Sequence, residues 1–461
     1  MRLRERLPSP VALPWGRPRH ELALLALVAF VALSPVNHVS DPDASRLCLS
    51  QALVHGHVTI APCIGWSVDF AEVDGRIYSD KAPGMSVLSI PAVEVIGIAA
   101  PNTWNGDREL SVWGVHVLTT GVIFLLLVFA VGRIAEGLAP GFGAPTLVTF
   151  ALGTMAGALA ETSFGHVPAG ALLFAALLLL GRGRSLTAGL CAGAAVAVEY
   201  QSAAALLILA AYAALAGRRR LLRFVAGSVP PLALLGAYDW AAFGSPLHLS
   251  YRYVGNPFSA KGQSQGLLGV DLPNIHGTRL VFIGDLGLLV ATPVLVAAAA
   301  GLVLLARTHR AEAVVCAAVA AVFLFANCGY YLPYGGSSPG PRFLVPMLPF
   351  LALGLGPAFK RWRAPTALAA AASVVAMVAL TLTWAASQPY PGTIWGQIWR
   401  FLLDGSSSPL AQEVANNVAT WVGVGRGSSA ILVIIAATCA LGLALLPVFA
   451  RPVAQVERSE R

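Results

Sequence analysis

The sequence contains few charged residues. They make up 11% of its 461 positions, whereas 57% are hydrophobic, and lysine occurs only at positions 81, 261 and 360. Soluble domains carry about 25% charged residues, so the composition excludes an ordinary soluble globular protein. Apolar runs of roughly 15 to 25 residues recur along the chain instead, and this pattern is typical of a polytopic helical membrane protein.

The chain also lacks the patterns of nucleic-acid-binding and zinc-binding proteins. Its net charge is +8, but the basic residues lie in short clusters between apolar runs, without a basic stripe that alternates with aromatic residues. No nucleic acid is therefore expected as a partner. The six cysteines include no CxxC pair and no Cys/His spacing of the zinc type.

The apolar runs predict about 12 membrane-spanning helices, within a range of 11 to 13, in one all-α integral membrane domain over residues 1–461. Both termini are then cytoplasmic. Most of the 30 Lys and Arg residues fall on the cytoplasmic side in this topology, as the positive-inside rule requires. The predicted spans are 22–36, 111–132, 143–160, 168–181, 186–198, 201–216, 224–240, 281–305, 312–330, 343–359, 365–385 and 429–449.

Two stretches need a separate interpretation. Residues 186–216 are too long for one span, and two short helices that meet near Glu199 at the outer face agree best with the basic clusters. Residues 82–100 are apolar, but counting them as a span would reverse the later topology, so they are predicted to form a helix in the outer interface. The first and last outer segments are then 38–110 and 386–428.

Two cysteines, Cys48 and Cys63, lie in the first outer segment, where oxidation is possible. A disulfide between them would close a loop of about 15 residues and would stabilise the protein by roughly 3 kcal/mol. The sequence leaves both the bonded and the free state open. The other cysteines fall within or at the ends of predicted helices and are most simply packing residues: Cys191, Cys316, Cys328 and Cys439.

The first outer segment is also unusually charged. Asp43 stands where a helix over 44–54 would begin, so it can be either a helix cap or a catalytic carboxylate. Lys81 follows Asp80 just before the interfacial helix, and this pair can be a solvated surface turn or a phosphate-binding group. The charged residues between positions 38 and 84 are Asp41, Asp43, Arg46, Asp69, Glu72, Asp74, Arg76, Asp80 and Lys81.

The motifs around these charges resemble those of the GT-C superfamily of integral-membrane glycosyltransferases. Pro42-Asp43-Ala44-Ser45-Arg46 follows the first helix, and Tyr78-Ser79-Asp80-Lys81-Ala82-Pro83 precedes the interfacial helix. The resemblance is to the branch of the protein O-mannosyltransferases and the bacterial aminoarabinose transferase of lipid A. A glycine-rich turn that leads to Arg342 adds to it. The chain departs from the family pattern at Ala44, where a second acid is common, and at Ala82, between the lysine and its proline.

The resemblance implies a glycosyltransferase that acts on the extracytoplasmic side of the cell (plasma) membrane. The donor would be a sugar on polyprenyl phosphate, the acceptor a hydroxyl of a lipid, a glycan or a protein, and the transfer would invert the anomeric centre. On the matched positions Asp43 is the general base and Lys81 binds the donor phosphate, and Arg342 would help to neutralise it. Supporting roles are expected for Arg46, Tyr78, Asp80, His166 and Glu199.

No cofactor is required for this chemistry. A divalent metal is not indicated either, although Asp80 and His166 could form a weak site. His166 at a helix start can equally be a structural hydrogen-bonding group. The acids that match no motif are expected to be solvated surface: Asp41, Asp69, Glu72 and Asp74.

A transporter or flippase of lipid-linked sugars is the main alternative. Such a protein would have inverted repeats, with charged or broken helices at the bilayer midplane. The charges of this chain gather at one outer face instead, and no internal repeat is evident. This distribution favours the transferase, whose sugar and acceptor the sequence does not name.

Overall fold

Helices form nearly all of the regular structure. The computed structural model describes residues 18–65, 67–97, 106–383, 392–408, 414 and 416–449. A π-helix, Val117–Gly121, joins α5 to α6. The α-helices are α1 (Pro18–Leu33), α2 (Asp41–Val54), α3 (Ala61–Ile64), α4 (Gly84–Ile96), α5 (Gly106–His116), α6 (Val122–Leu138), α7 (Gly143–Leu152), α8 (Met155–Ala158), α9 (His166–Gly181), α10 (Ser185–Val198), α11 (Ser202–Leu215), α12 (Arg218–Phe243), α13 (Pro257–Gln263), α14 (Ile275–Ile283), α15 (Leu288–Ala291), α16 (Val294–Leu305), α17 (Arg310–Cys328), α18 (Leu348–Ala352), α19 (Leu355–Arg361), α20 (Arg363–Leu382), α21 (Ile394–Asp404) and α22 (Arg426–Phe449).

Two small antiparallel sheets accompany the helices. Strands β2 (Ala71–Val73) and β3 (Arg76–Tyr78) form a hairpin in the segment between α3 and α4. Strand β1 (Pro35–Val36) pairs with β4 (Asn416–Asn417). Because β1 follows α1 and β4 lies shortly before α22, this pairing joins the two long terminal helices at one end, and the helices also pack against each other.

The helix lengths support a polytopic membrane protein but do not show twelve spans. In the described part of the chain, 5 helices are long and apolar enough to cross a membrane, or 7 if each of two bent pairs is counted as one span. Each predicted span contains at least one helix. Several of these helices are shorter than the roughly 20 residues that cross a bilayer, so the number of spans stays a prediction.

The stretch 186–216 forms two helices, as predicted. α10 ends at Val198, Glu199 has an extended backbone, and α11 begins at Ser202. α10 lies very close to α12, since a Cβ on Gly189 or Gly227 would overlap a backbone carbonyl of the facing helix. Small residues that allow such contacts are typical of helix pairs in membranes. This packing fixes the position of the turn that carries Glu199.

The first loop, residues 38–84, folds around a small core of its own. Cys48 and Cys63 are bonded to each other and join α2 to α3. Leu49 and Tyr78 of this loop pack with Phe243 at the end of α12. The backbone N–H of Glu72 donates to the carbonyl of residue 253 at 2.8 Å, which links the loop to the segment that follows α12. The loop is therefore held on two sides.

Helix α4 corresponds to the predicted interfacial helix. With 13 residues it is too short for the roughly 20 residues of an ordinary span. A Cβ on Gly84 would lie 2.5 Å from the carbonyl carbon of Ala197 in α10, so only glycine allows this approach of the two helices. The contact places the motif before α4, with Asp80 and Lys81, next to Glu199.

The predicted orientation can be tested with single cysteines in exposed positions. His57→Cys, beyond α2, should react with a membrane-impermeant maleimide on intact cells, because the first loop is predicted to face outward. Lys360→Cys at the end of α19 should react only after permeabilisation. The unchanged chain gives the background of its native thiols. Labelling of the two positions from the opposite sides would overturn the topology.

The disulfide should stabilise the first loop. We expect Cys48→Ala/Cys63→Ala to lose roughly 3 kcal/mol, since an unfolded loop of about 15 residues is no longer constrained. A lower Tm in a thermal unfolding assay in detergent would show this loss. Cys439→Ala, which removes an exposed thiol on α22, is the matched control. An unchanged Tm in the double variant would contradict a stabilising disulfide.

Candidate active site

A cavity of about 480 Å³ lies where the first loop meets the helix ends. Its wall is built from the first loop, the start of α9, the turn between α10 and α11, the segment after α12 and the glycine-rich turn before Arg342. Ionisable side chains are concentrated in this wall although the chain as a whole has few. They are His38, Asp41, Arg46, Asp69, Asp80, Lys81, His166, Glu199 and Arg342, with Tyr251, Tyr330 and Tyr331 beside them.

Arg342 is a buried cation that forms no ion pair with an acid among the described residues. Its guanidinium lies over the ring of Phe164 at 4.6 Å, and one terminal N–H donates to the carbonyl of Ser337 at 3.3 Å. Its Nε has no hydrogen-bond partner, and no carboxylate of the described residues forms an ion pair with it. A Cβ on Gly335 would lie 2.7 Å from this Nε, so glycine there makes room for the arginine. An uncompensated buried charge is costly, and the arrangement suits an anion in the cavity.

Lys81 is shared by two carboxylates. Its Nζ lies 2.9 Å from Oδ2 of Asp69 and 2.8 Å from Oδ2 of Asp80. Burial opposes the charge of the lysine, but the two carboxylates outweigh this effect and raise the pKa of Lys81. The ammonium group is therefore charged at neutral pH. The sequence interpretation of Asp69 as solvated surface was wrong, because the side chain lies on the cavity wall and holds Lys81.

Arg46 pairs with Glu199. A terminal nitrogen of the guanidinium lies 2.9 Å from Oε1 of Glu199, and both side chains are buried. Nδ1 of His166 lies 3.4 Å from the same oxygen. Burial raises the pKa of Glu199 even though Arg46 acts against it. The ion-pair partner of Arg46 is thus Glu199, and all three side chains line the cavity, while their supporting roles stay predictions.

Asp43 lies behind the cavity wall rather than on it. Helix α2 begins at Asp41, three residues earlier than predicted, and Asp43 closes a capping box with Ser40. Oδ2 accepts from the hydroxyl of Ser40 at 2.6 Å and from its N–H at 3.1 Å, while Oδ1 accepts from the N–H of Ser163 at 2.8 Å. Asp43 is 0% exposed. The carboxylate thus has the capping role, and its role as a base stays a prediction.

A buried network that the sequence analysis missed lies beside Asp43. Nδ1 of His116 is 2.9 Å from Oε1 of Glu161, and Nε2 of His116 is 3.8 Å from Oδ1 of Asp43. The N–H of Asn37 donates to Oε2 of Glu161 at 2.9 Å. His116 directly precedes the π-helix, and such bulges often occur at functional sites. No motif marked these residues, because they come from three distant segments.

Two further predictions concern Tyr78 and a metal. The ring of Tyr78 packs 5.6 Å from that of Phe243 in the core of the first loop, so Tyr78 is not part of the cavity wall.

Within the residues that the structure describes, no group of three or more His, Cys, Asp or Glu side chains could hold a metal ion. Asp80 and His166 do line the same cavity.

Comparison with solved structures identifies the architecture. The structure is similar to ArnT from Cupriavidus metallidurans, solved bound to undecaprenyl phosphate, with a TM-score of 0.53 and 13% identity over 92% of this chain and 76% of that one. The fold is of the GT-C type. The archaeal oligosaccharyltransferase AglB from Archaeoglobus fulgidus, in complex with an inhibitory peptide and a dolichol-phosphate, aligns with a TM-score of 0.39 and 13% identity over 86% of this chain and 59% of that one. The second value is too low to support an argument.

Sequence comparison adds nothing to this likeness. No protein-family model matches the chain, and no curated protein matches it. At 13% identity the similarity to ArnT concerns the fold alone. The roles of individual residues therefore depend on the geometry of this site.

The buried pair of Arg46 and Glu199 should be important for stability. Glu199→Gln leaves the arginine without a counter-charge, and breaking a buried pair costs about 3 to 5 kcal/mol. We expect a clearly lower Tm in detergent. Glu94→Gln, at an exposed position of α4, is the matched control and should leave Tm unchanged. Equal Tm values for the two variants would show that the pair contributes little.

Proposed function

We propose that this protein is a membrane glycosyltransferase that moves a sugar from polyprenyl phosphate to an acceptor hydroxyl. The reaction would take place in the cavity, on the extracytoplasmic side of the plasma membrane. In this proposal about 12 helices cross the bilayer, both termini are cytoplasmic, and the lipid tail of the donor lies between helices. Transfer needs no cofactor.

The observation that carries the proposal is the buried guanidinium of Arg342, which forms no ion pair within the part of the chain that the structure describes. Arg46 has Glu199 and Lys81 has two carboxylates, whereas Arg342 faces the cavity with no acid of its own among the described residues. The phosphate of a lipid-linked sugar supplies the missing negative charge. Arginine also matches phosphate oxygens with several N–H donors in a plane. The likeness of the fold to ArnT, whose structure holds undecaprenyl phosphate, supports a donor of this class.

The chemistry of the transfer suits these groups. A sugar on polyprenyl phosphate already carries a good leaving group, so the protein must mainly stabilise the charge that develops on the phosphate. Arg342 would do this first, and Lys81 would join when the phosphate approaches its ammonium group. Attack by the acceptor oxygen from the opposite face inverts the anomeric centre. A carboxylate must take the acceptor proton, and the resemblance assigns this task to Asp43.

A binding and transfer experiment tests the phosphate site. Arg342→Gln should weaken the binding of undecaprenyl phosphate to the protein in nanodiscs about tenfold or more, because a hydrogen bond to a charged group contributes about 1.5 to 3 kcal/mol. Lys81→Ala should weaken it too, since two carboxylates would then face the phosphate. Arg76→Gln, at an exposed site of β3, is the control.

The same samples distinguish a glycosyltransferase from a flippase of lipid-linked sugars. Incubation with a panel of polyprenyl-phosphate sugars and candidate acceptors should give a glycosylated product with the wild-type chain and much less with Arg342→Gln. Unchanged affinity in Arg342→Gln would remove the phosphate role. Movement of the lipid-linked sugar across a vesicle membrane without any transfer would favour the flippase.

A further inference from the structure

The carboxylates of the cavity wall differ in how fully their oxygens are engaged. Glu199 is held by Arg46, and its side chain is only 4% exposed. Asp80 accepts from Lys81 and, at 3.2 Å, from the hydroxyl of Ser45, and its side chain is 5% exposed. The carboxylate of Asp69 has Lys81 as its one ion-pair partner among the described residues, through Oδ2, and the side chain is 20% exposed. Its Oδ1 has no hydrogen-bond partner among the described residues.

Asp69 is held in place by its backbone and by a neighbouring acid. Its N–H donates to the hydroxyl of Ser67 at 3.2 Å, and that hydroxyl donates to the carbonyl of Asp41 at 3.3 Å. The carboxylate of Asp41 accepts the N–H of Val68 at 2.9 Å. On the C-terminal side of Asp69, the carbonyl of Phe70 accepts from the N–H of residue 255 at 2.9 Å. A carboxylate that is anchored by its main chain and free at one oxygen is suited to meet a substrate.

The charges around Asp69 keep it ionised. Burial alone would raise the pKa of Asp69, but the positive charges of Lys81, Arg342 and Arg46 outweigh burial and lower it. The neighbouring Asp80 behaves oppositely, since burial and the charge of Asp69 raise its pKa against the effect of Lys81. Of the two acids that share Lys81, Asp69 is therefore the one that is held in the ionised form, which a base requires.

A bound donor phosphate would change the charges that act on Asp69. When it binds beside Arg342 and attracts Lys81, it competes with Asp69 for the ammonium group. Asp69 then keeps its place but loses part of its counter-charge, and a second negative charge lies nearby. Both changes increase the proton affinity of the carboxylate. Binding of the donor would thus convert Asp69 from an ion-pair partner into a base.

We propose that Asp69, rather than the buried Asp43, takes the proton from the acceptor hydroxyl; this assignment rests on the proposed function. The acceptor O–H bond breaks as its proton passes to Oδ1 of Asp69, and the acceptor oxygen forms the bond to the anomeric carbon. The bond from that carbon to the phosphate oxygen breaks, and the phosphate leaves with the electron pair. The added negative charge on polyprenyl phosphate is met by Arg342 and Lys81. Asp69 afterwards releases its proton to water.

Asp43 then has a positioning role. It closes the start of α2 and joins it to the N–H of Ser163, and α2 carries Asp41, which holds the loop of Asp69. This division of roles separates the two acids experimentally. Loss of Asp43 should act mainly on stability, whereas loss of Asp69 should act on turnover.

The test uses the full chain in nanodiscs with the donor panel, and measures turnover at saturating donor, donor affinity and the pH profile. Asp69→Asn should lower turnover about 100-fold, in the range typical of a lost general base. Donor affinity should be unchanged or higher, because one acid no longer competes for Lys81. Asp69→Glu should recover part of the turnover. Asp74→Asn, an exposed acid at the tip of the β2–β3 hairpin, should behave like the wild type.

The pH profile separates proton transfer from a structural effect. Turnover of the wild type should fall as the pH drops through the pKa of the base, and Asp69→Asn should lose this acidic limb while Asp43→Asn keeps it. The groups that act on Asp69 are unchanged in Asp43→Asn: Lys81, Asp80, Arg342, Arg46 and the neighbouring Asp41.

Any one of five results would overturn the assignment. Turnover of Asp69→Asn within about twofold of the wild type, retention of its acidic limb, or recovery of its turnover by more donor would each leave Asp69 only a partner of Lys81. Loss of the acidic limb in Asp43→Asn would return the role of base to Asp43. If the wild type itself transfers no sugar from any donor, the proposed function fails, and the assignment to Asp69 fails with it.

Discussion

The positive charge of Arg342, which forms no direct ion pair with an acid of the described residues, is the constraint on which the site depends. The other cations of the cavity are neutralised, Arg46 by Glu199 and Lys81 by two aspartates. A guanidinium buried among aromatic rings gains some stabilisation from them, but less than it loses with its water. The arrangement therefore suits an anion in the cavity, and Lys81 lies in the same cavity wall.

The scaffold keeps these charges in position with contacts that loops alone could not provide. Gly84 lets α4 lie against α10, so the lysine motif and the turn with Glu199 come together. The disulfide and the hydrogen bonds to the segment after α12 hold the first loop from two sides. A site held in this way is preorganised, which is the main requirement for electrostatic catalysis.

Much of the architecture follows from local sequence patterns. Every predicted apolar span contains a helix, and the break near Glu199 was predicted because two short helices agreed best with the basic clusters. The number of membrane spans does not follow from these patterns. Several helices are short, and helix length alone does not decide whether a short helix crosses the bilayer. The motif resemblance also singled out Lys81 and Arg342, and both line one cavity although they lie 261 positions apart in the sequence.

The sequence by itself determined that the protein is a helical membrane protein, where its helices lie, and which side chains are candidates for binding or catalysis. It could not decide which charges pair, because Arg46 and Glu199 lie 153 positions apart and meet only through helix packing. It also could not decide which acid is accessible. Asp43 and Asp69 are alike as residues, but one turns inward to cap a helix while the other faces the cavity beside Lys81. Burial and electrostatic partners are properties of the assembled fold, and they decided the difference between the two acids.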